Sequence, residues 1–151
     1  MKKVSFVFVL VVLALMVVYP VYAGNTAQEE MNKKTVVAFY DAFINQKDFD
    51  AAAKYVGPRY TQHNPMGADN LEGIKNFVQF LREKVPQYHT EFKRVFADGD
   101  YVIIHAHAKM NPEDRGYAVM DIFKLENGKV VEHWDVVQAI PEKAFNTNTM
   151  F

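Results

Sequence analysis

Apolar and polar positions recur along this chain with two different periods, and the change falls at Pro86. Before it the spacing is helical. Val36, Phe39, Tyr40 and Phe43 stand at i, i+3, i+4 and i+7, with Val37 and Ile44 beside them, which predicts an amphipathic helix over about residues 26–46. Asp48 is placed to cap a short second helix through Ala51, Ala52 and Ala53, which Gly57-Pro58 stops. An extended segment at 59–63 runs into the Asn64-Pro65 turn. Ile74, Phe77, Val78 and Leu81 repeat the helical spacing and predict a third helix over about 71–84, with Asn70 as its cap and Pro86 beyond its end.

After Pro86 the period becomes 2. Four strands are predicted, at about 87–97, 101–110, 116–126 and 129–139. Asp98-Gly99 and Asn127-Gly128 are hairpin turns, the second with the residues a type I′ turn demands. Helices followed by an antiparallel meander predict an α+β fold, the helices packed on one face of a curved sheet.

The first 23 residues follow neither period. Nineteen are apolar; Lys2 and Lys3 precede a run from Val4 to Val18, and Val21-Tyr22-Ala23 follows Pro20. This is the layout of a secretory signal peptide cleaved after Ala23, which implies export to a bacterial periplasm or the outside. Retention as a membrane anchor fits less well, because fifteen helical residues span roughly 22 Å against a hydrocarbon core of roughly 30 Å. Residues 24–151 then form one domain of ordinary size.

Composition removes several functions. That domain carries fifteen basic and eighteen acidic residues, a net charge of -3 with no basic stripe, which argues against nucleic acid as a partner. With no cysteine there is no disulfide framework, thiol nucleophile or thiolate metal site. No phosphate loop or nucleophile elbow occurs, and no cofactor is called for.

Strand parity then isolates the polar residues that matter. Asp121 stands in a row with Tyr117, Val119, Phe123 and Leu125, where a carboxylate must find donors or accept a raised pKa. It is either a structural aspartate bonded to a histidine or tyrosine, or a general acid/base in a pocket. His105 and His107, two apart on one strand, are able to face one cavity, while His63 precedes a turn at what would be the cavity mouth. A metal held by the histidine pair lacks a fixed third and fourth ligand, and none is assigned. On the last strand Trp134 and Gln138 share one face, His133 and Asp135 the other; the size of the indole favours Trp134 facing in. Tyr60, Asn64 and Phe123 complete the expected pocket lining, and His89 is read as a surface residue.

The ordered set Asp48-Phe49-Asp50, Tyr60-Thr61-Gln62-His63-Asn64-Pro65, Asp98-Gly99-Asp100-Tyr101-Val102, Met120-Asp121-Ile122-Phe123 and Glu126-Asn127-Gly128-Lys129-Val130-Val131-Glu132-His133-Trp134-Asp135 resembles the SnoaL-like family, in particular its aldol-condensation branch. The tail from Ile140 to Phe151 is similar as well, so the resemblance covers residues 30–151. It implies a nuclear-transport-factor-two-like cone, with helices closing a strongly bent antiparallel sheet around a pocket, usually in a homodimer. It also implies cofactor-free aldol or isomerase chemistry on a small apolar or aromatic carbonyl compound. Asp121 would be the acid/base, with His105 and His107 on the adjacent strand and His63 at the mouth. His105 stands where the family's cyclases carry an amide. A non-catalytic exported ligand-binding or accessory module is the alternative.

Overall fold

The computed structural model describes residues 26–151, so the expected export segment lies outside the described residues. The first helix, α1 (Ala27–Tyr40), starts at a capping box. Thr26 Oγ1 accepts the Glu29 N–H, and Glu29 returns a carboxylate oxygen to Thr26 N at 2.6 Å. The other Glu29 oxygen accepts from Gly99 N at 2.9 Å, which ties the helix start to a distant hairpin. The predicted helix continues to the expected end, but its last turn, Asp41–Asn45, is π-helical. Asp48 caps the short α2 (Phe49–Ala53) by accepting from Ala51 N, as its position predicts.

The next segment is longer than its sequence suggested. It forms a full strand, β1 (Val56–Gln62), that includes Gly57-Pro58. α3 (Asn70–Lys84) buries Ile74, Val78 and Leu81. Its cap is Asp69 rather than Asn70, and the Asp69 side chain does not cap the helix; it accepts the main-chain N–H of Gln62 at 2.7 Å.

β2 (His89–Asp98), β3 (Tyr101–Lys109), β4 (Tyr117–Glu126) and β5 (Lys129–Ala139) follow as an antiparallel meander. Asn127 and Gly128 both have positive φ, 52° and 71°, as a type I′ hairpin requires. β1 adds to the β5 edge in parallel, so the sheet is five-stranded and mixed rather than purely antiparallel, in the order β1-β5-β4-β3-β2.

Two bulges bend the antiparallel part of this sheet. Between Phe92 and Arg94 the β2–β3 register slips by one residue, and between Lys124 and Leu125 the β4–β5 register does the same. The second slip places an extra residue, Val131, on β5: Leu125 pairs with Val130, but Lys124 pairs with Glu132. The helices cover the concave side, where Phe39, Leu81, Ile104, Phe123 and Leu125 are fully buried. Phe39 meets Phe123 edge-on at 6.0 Å, joining α1 to β4. The result is an α+β cone with a hollow end.

Candidate functional site

The hollow is a cavity of about 580 Å³. Much of its wall is aromatic. Phe43 from the π-helical turn, with Phe77 and Phe80 from α3, forms a ladder of rings with centroids 5.6 and 5.9 Å apart. Tyr60, Tyr88 and Tyr117 line the same cavity. Burial raises the Tyr60 and Tyr88 hydroxyls above the usual tyrosine range, so both remain protonated donors. No lysine or arginine lines the cavity among the described residues.

Asp121 comes from β4 and is only 2% exposed. Its Oδ1 lies 3.0 Å from His133 Nε2, while its Oδ2 is fully buried and carries no well-formed hydrogen bond. Desolvation pushes Asp121 above the usual carboxylate range; the bond and charge of His133 pull it partly back, and Asp135, its cross-strand neighbour, adds to the rise. The Tyr40 hydroxyl lowers it a little without being aligned for a full hydrogen bond.

His133 is fixed on three sides. Its ring stacks on Phe123 with centroids 4.7 Å apart, Nε2 faces Asp121, and Nδ1 lies 2.9 Å from Gln62 Oε1. Gln62 Oε1 also accepts from Asn64 N at 2.9 Å. Asn64 in turn places its amide nitrogen 2.8 and 2.7 Å from the two Asp135 oxygens and accepts from Met66 N. The end of β1 and the turn after it thus supply amides to both ionisable residues that β5 turns toward the cavity, His133 and Asp135.

Asp121, His133 and Asp135 each offer a donor atom within 4.8 Å of the others, a spacing that suits a small cation. Asp121 Oδ1, His133 Nε2 and both Asp135 oxygens already have partners in one another or in Asn64, and only Asp121 Oδ2 is left over, so the cluster reads as a hydrogen-bonded network.

Of the expected pocket residues, Asp121, Tyr60, Asn64 and Phe123 line the cavity. The other five do not. His105 and His107 project from the opposite face of β3, because Ile104, not a histidine, pairs with Asp121. His105 Nδ1 lies 2.9 Å from Arg94 Nη1, and His107 Nε2 donates to the Arg115 carbonyl. Phe151 covers the pair, with its ring 4.6 Å from that of His107. His63 is also outside: it stacks flat on Trp134 at 4.4 Å and reaches Glu132 at 3.2 Å. Trp134 therefore faces away from the cavity, half-buried under His63, and Gln138 is exposed. Its place is taken by His133 and Asp135, the other face of β5, because the extra residue at Val131 resets the alternation. Gln62 carried no signal of its own in the sequence beyond standing next to His63.

With the geometry in place, comparison decides the family. The profile of the SnoaL-like domain matches residues 36–133. The chain belongs to the SnoaL-like family. Three solved structures illustrate the shared fold. A proposed SnoaL-like polyketide cyclase from a Jannaschia species superposes with a TM-score of 0.62 at 18% identity, covering 76% of this chain and 90% of its own. A proposed ketosteroid isomerase from Kribbella flavida gives 0.63 at 11% identity, covering 79% and 86%. TsrD from Streptomyces laurentii gives 0.60 at 18% identity, covering 72% and 88%. No curated protein matches the chain by sequence. The SnoaL-like domain here keeps the cone and the pocket, and its polar cluster is Asp121, His133, Asp135, Gln62 and Asn64.

Proposed function

We propose that this SnoaL-like protein is an exported, cofactor-independent lyase, isomerase or cyclase that uses acid–base chemistry on a small apolar or aromatic carbonyl compound. The observation that carries this reading is Asp121: a carboxylate on an aromatic cavity wall, held by His133 through one oxygen and unengaged at the other. In the carboxylate form Asp121 would take a proton from carbon next to the ligand's carbonyl, leaving the electron pair as an enolate. That enolate either regains the proton at another carbon or attacks a second carbonyl, and protonated Tyr60 and Tyr88 are suited to stabilise its oxygen. Solved relatives named as a polyketide cyclase and a ketosteroid isomerase support the reading.

The test needs no knowledge of the product. Neutral cyclic and aromatic ketones are incubated with the protein in deuterated water, and exchange of the α-hydrogen is followed by NMR. The wild type should accelerate exchange for at least one ketone, and Asp121→Asn should lose about 100-fold or more of that acceleration. A ketone that binds saturably but exchanges equally slowly with both proteins would establish the second reading, a non-catalytic binding module. The near-complete burial of Asp121 Oδ2 is the observation that favours it.

Two further proposals accompany this reading. Export follows from the pattern of residues 1–23, and N-terminal sequencing of protein recovered outside the cytoplasm should begin at Gly24. A homodimer would cover the outer face of the sheet, where Met120, Ile122 and Val136 are exposed.

A further inference from the structure

We infer that Gln62 is a positioning residue that keeps the His133–Asp121 pair electrically neutral by holding a proton on His133 Nδ1. The inference rests on the acid–base reading of that pair, but its first test does not.

Gln62 Oε1 is 2.9 Å from Asn64 N, and a main-chain N–H only donates, so the amide atom facing it is the oxygen. The same oxygen is 2.9 Å from His133 Nδ1. Two acceptors do not approach that closely without a hydrogen between them, so Nδ1 carries one. On the far side of the ring, Nε2 is 3.0 Å from Asp121 Oδ1, and there too one hydrogen must lie between the atoms. It belongs either to Nε2, giving imidazolium and carboxylate, or to Oδ1, giving imidazole and carboxylic acid. Both forms have zero net charge, and one short transfer interconverts them.

Without the Gln62 acceptor a third form opens. The ring keeps a single hydrogen, on Nε2, and donates it to a permanently ionised Asp121, so the pair becomes anionic. That form still takes a proton from the ligand and returns the same one, but it holds none of its own to give to the ligand's oxygen as the enolate forms. Gln62 is well placed to prevent this, because its own main chain is held by Asp69 at 2.7 Å and its oxygen by Asn64. The stacking of His133 on Phe123 keeps the ring from turning to another acceptor.

The experiment is ¹⁵N NMR of the imidazole nitrogens in the ligand-free protein at neutral pH. Wild type and Gln62→Glu, which retains an acceptor, should both show a protonated Nδ1 at His133. Gln62→Met, which matches the length but removes the acceptor, should show a bare Nδ1 and a protonated Nε2. A bare Nδ1 in the wild type overturns the inference, whether or not either variant folds. An unchanged ring in Gln62→Met overturns it as well. With a ketone that passes the exchange test, Gln62→Met should lower kcat about tenfold or more and leave KM within a few-fold, and Gln62→Glu should recover part of the loss. Loss of exchange activity in Asp121→Asn alongside a bare wild-type Nδ1 would sink the role of Gln62 and leave the proposed function intact. A protonated Nδ1 with no exchange activity would do the reverse.

Discussion

Asp121 concentrates the conflict between stability and chemistry at a single residue. Because burial raises its pKa in the folded protein, the folded chain binds more protons than the unfolded one between the ordinary aspartate value, about 3.9, and the raised value. Stability from this residue is therefore fully present below the lower value and declines as pH rises through that window. Thermal unfolding from pH 3.5 to 8 should show the decline in the wild type and lose it in Asp121→Asn. The asparagine amide is able to donate to His133 Nε2, so this variant should fold. Asn64 makes the complementary case: Asn64→Ala leaves both Asp135 oxygens without their donor and removes a bond to Met66 N. It should cost about 1–3 kcal/mol in denaturant unfolding. Phe123→Ala removes a ring packed against Phe39, Tyr40 and His133, for which about 3–5 kcal/mol is expected from the same measurement.

At the scale of elements, what was legible in the sequence was what is local. The spacing of Val36, Phe39 and Tyr40, the cap at Asp48 and the turn at Asn127-Gly128 act within a few residues and reappear in α1, α2 and the β4–β5 hairpin. Asp121 was readable too, because its apolar neighbours sit on its own strand. Interstrand register was not. His105 and His107 lie on the strand next to Asp121, yet pairing Ile104 with Asp121 turns both histidines outward. The decision depends on the connection between β3 and β4, where Gly116 has φ 81° and an added Cβ would sit 2.2 Å from the Ala108 carbonyl oxygen. Gly116→Ala should therefore destabilise by more than about 1 kcal/mol, as read from the unfolding midpoint. Trp134 misled for another reason: indole size argues for burial, and the molecule meets that need on the outer face with His63 stacked on the ring.

The whole molecule has two unlike surfaces on one sheet. The concave side holds the cavity, whose ionisable groups are carboxylates, a histidine and tyrosines, with no cation from lysine or arginine among the described residues. A ligand carrying its own carboxylate would meet no compensating charge there and would lose its hydration as it went in. Paired binding assays by thermal shift should show stabilisation by neutral ketones and their esters and little by the corresponding free acids. The convex side carries Met120, Ile122 and Val136 in exposed positions. If a second copy covers it, Ile122→Lys should convert a dimer to a monomer in sedimentation velocity while leaving thermal unfolding of the protomer cooperative.

The extra residue at Val131 decides which of two chemistries the cone contains. Upstream of it an even-numbered residue, Val130, lies in the core; downstream of it the odd-numbered His133 and Asp135 face the cavity. One codon thus separates a histidine–carboxylate interior from a tryptophan–glutamine one, with every side chain between Glu132 and Gln138 changing sides together. A lineage that lost or gained a residue at this point would rewrite its pocket in a single step, and relatives aligned without a gap here would have inner and outer residues matched to one another.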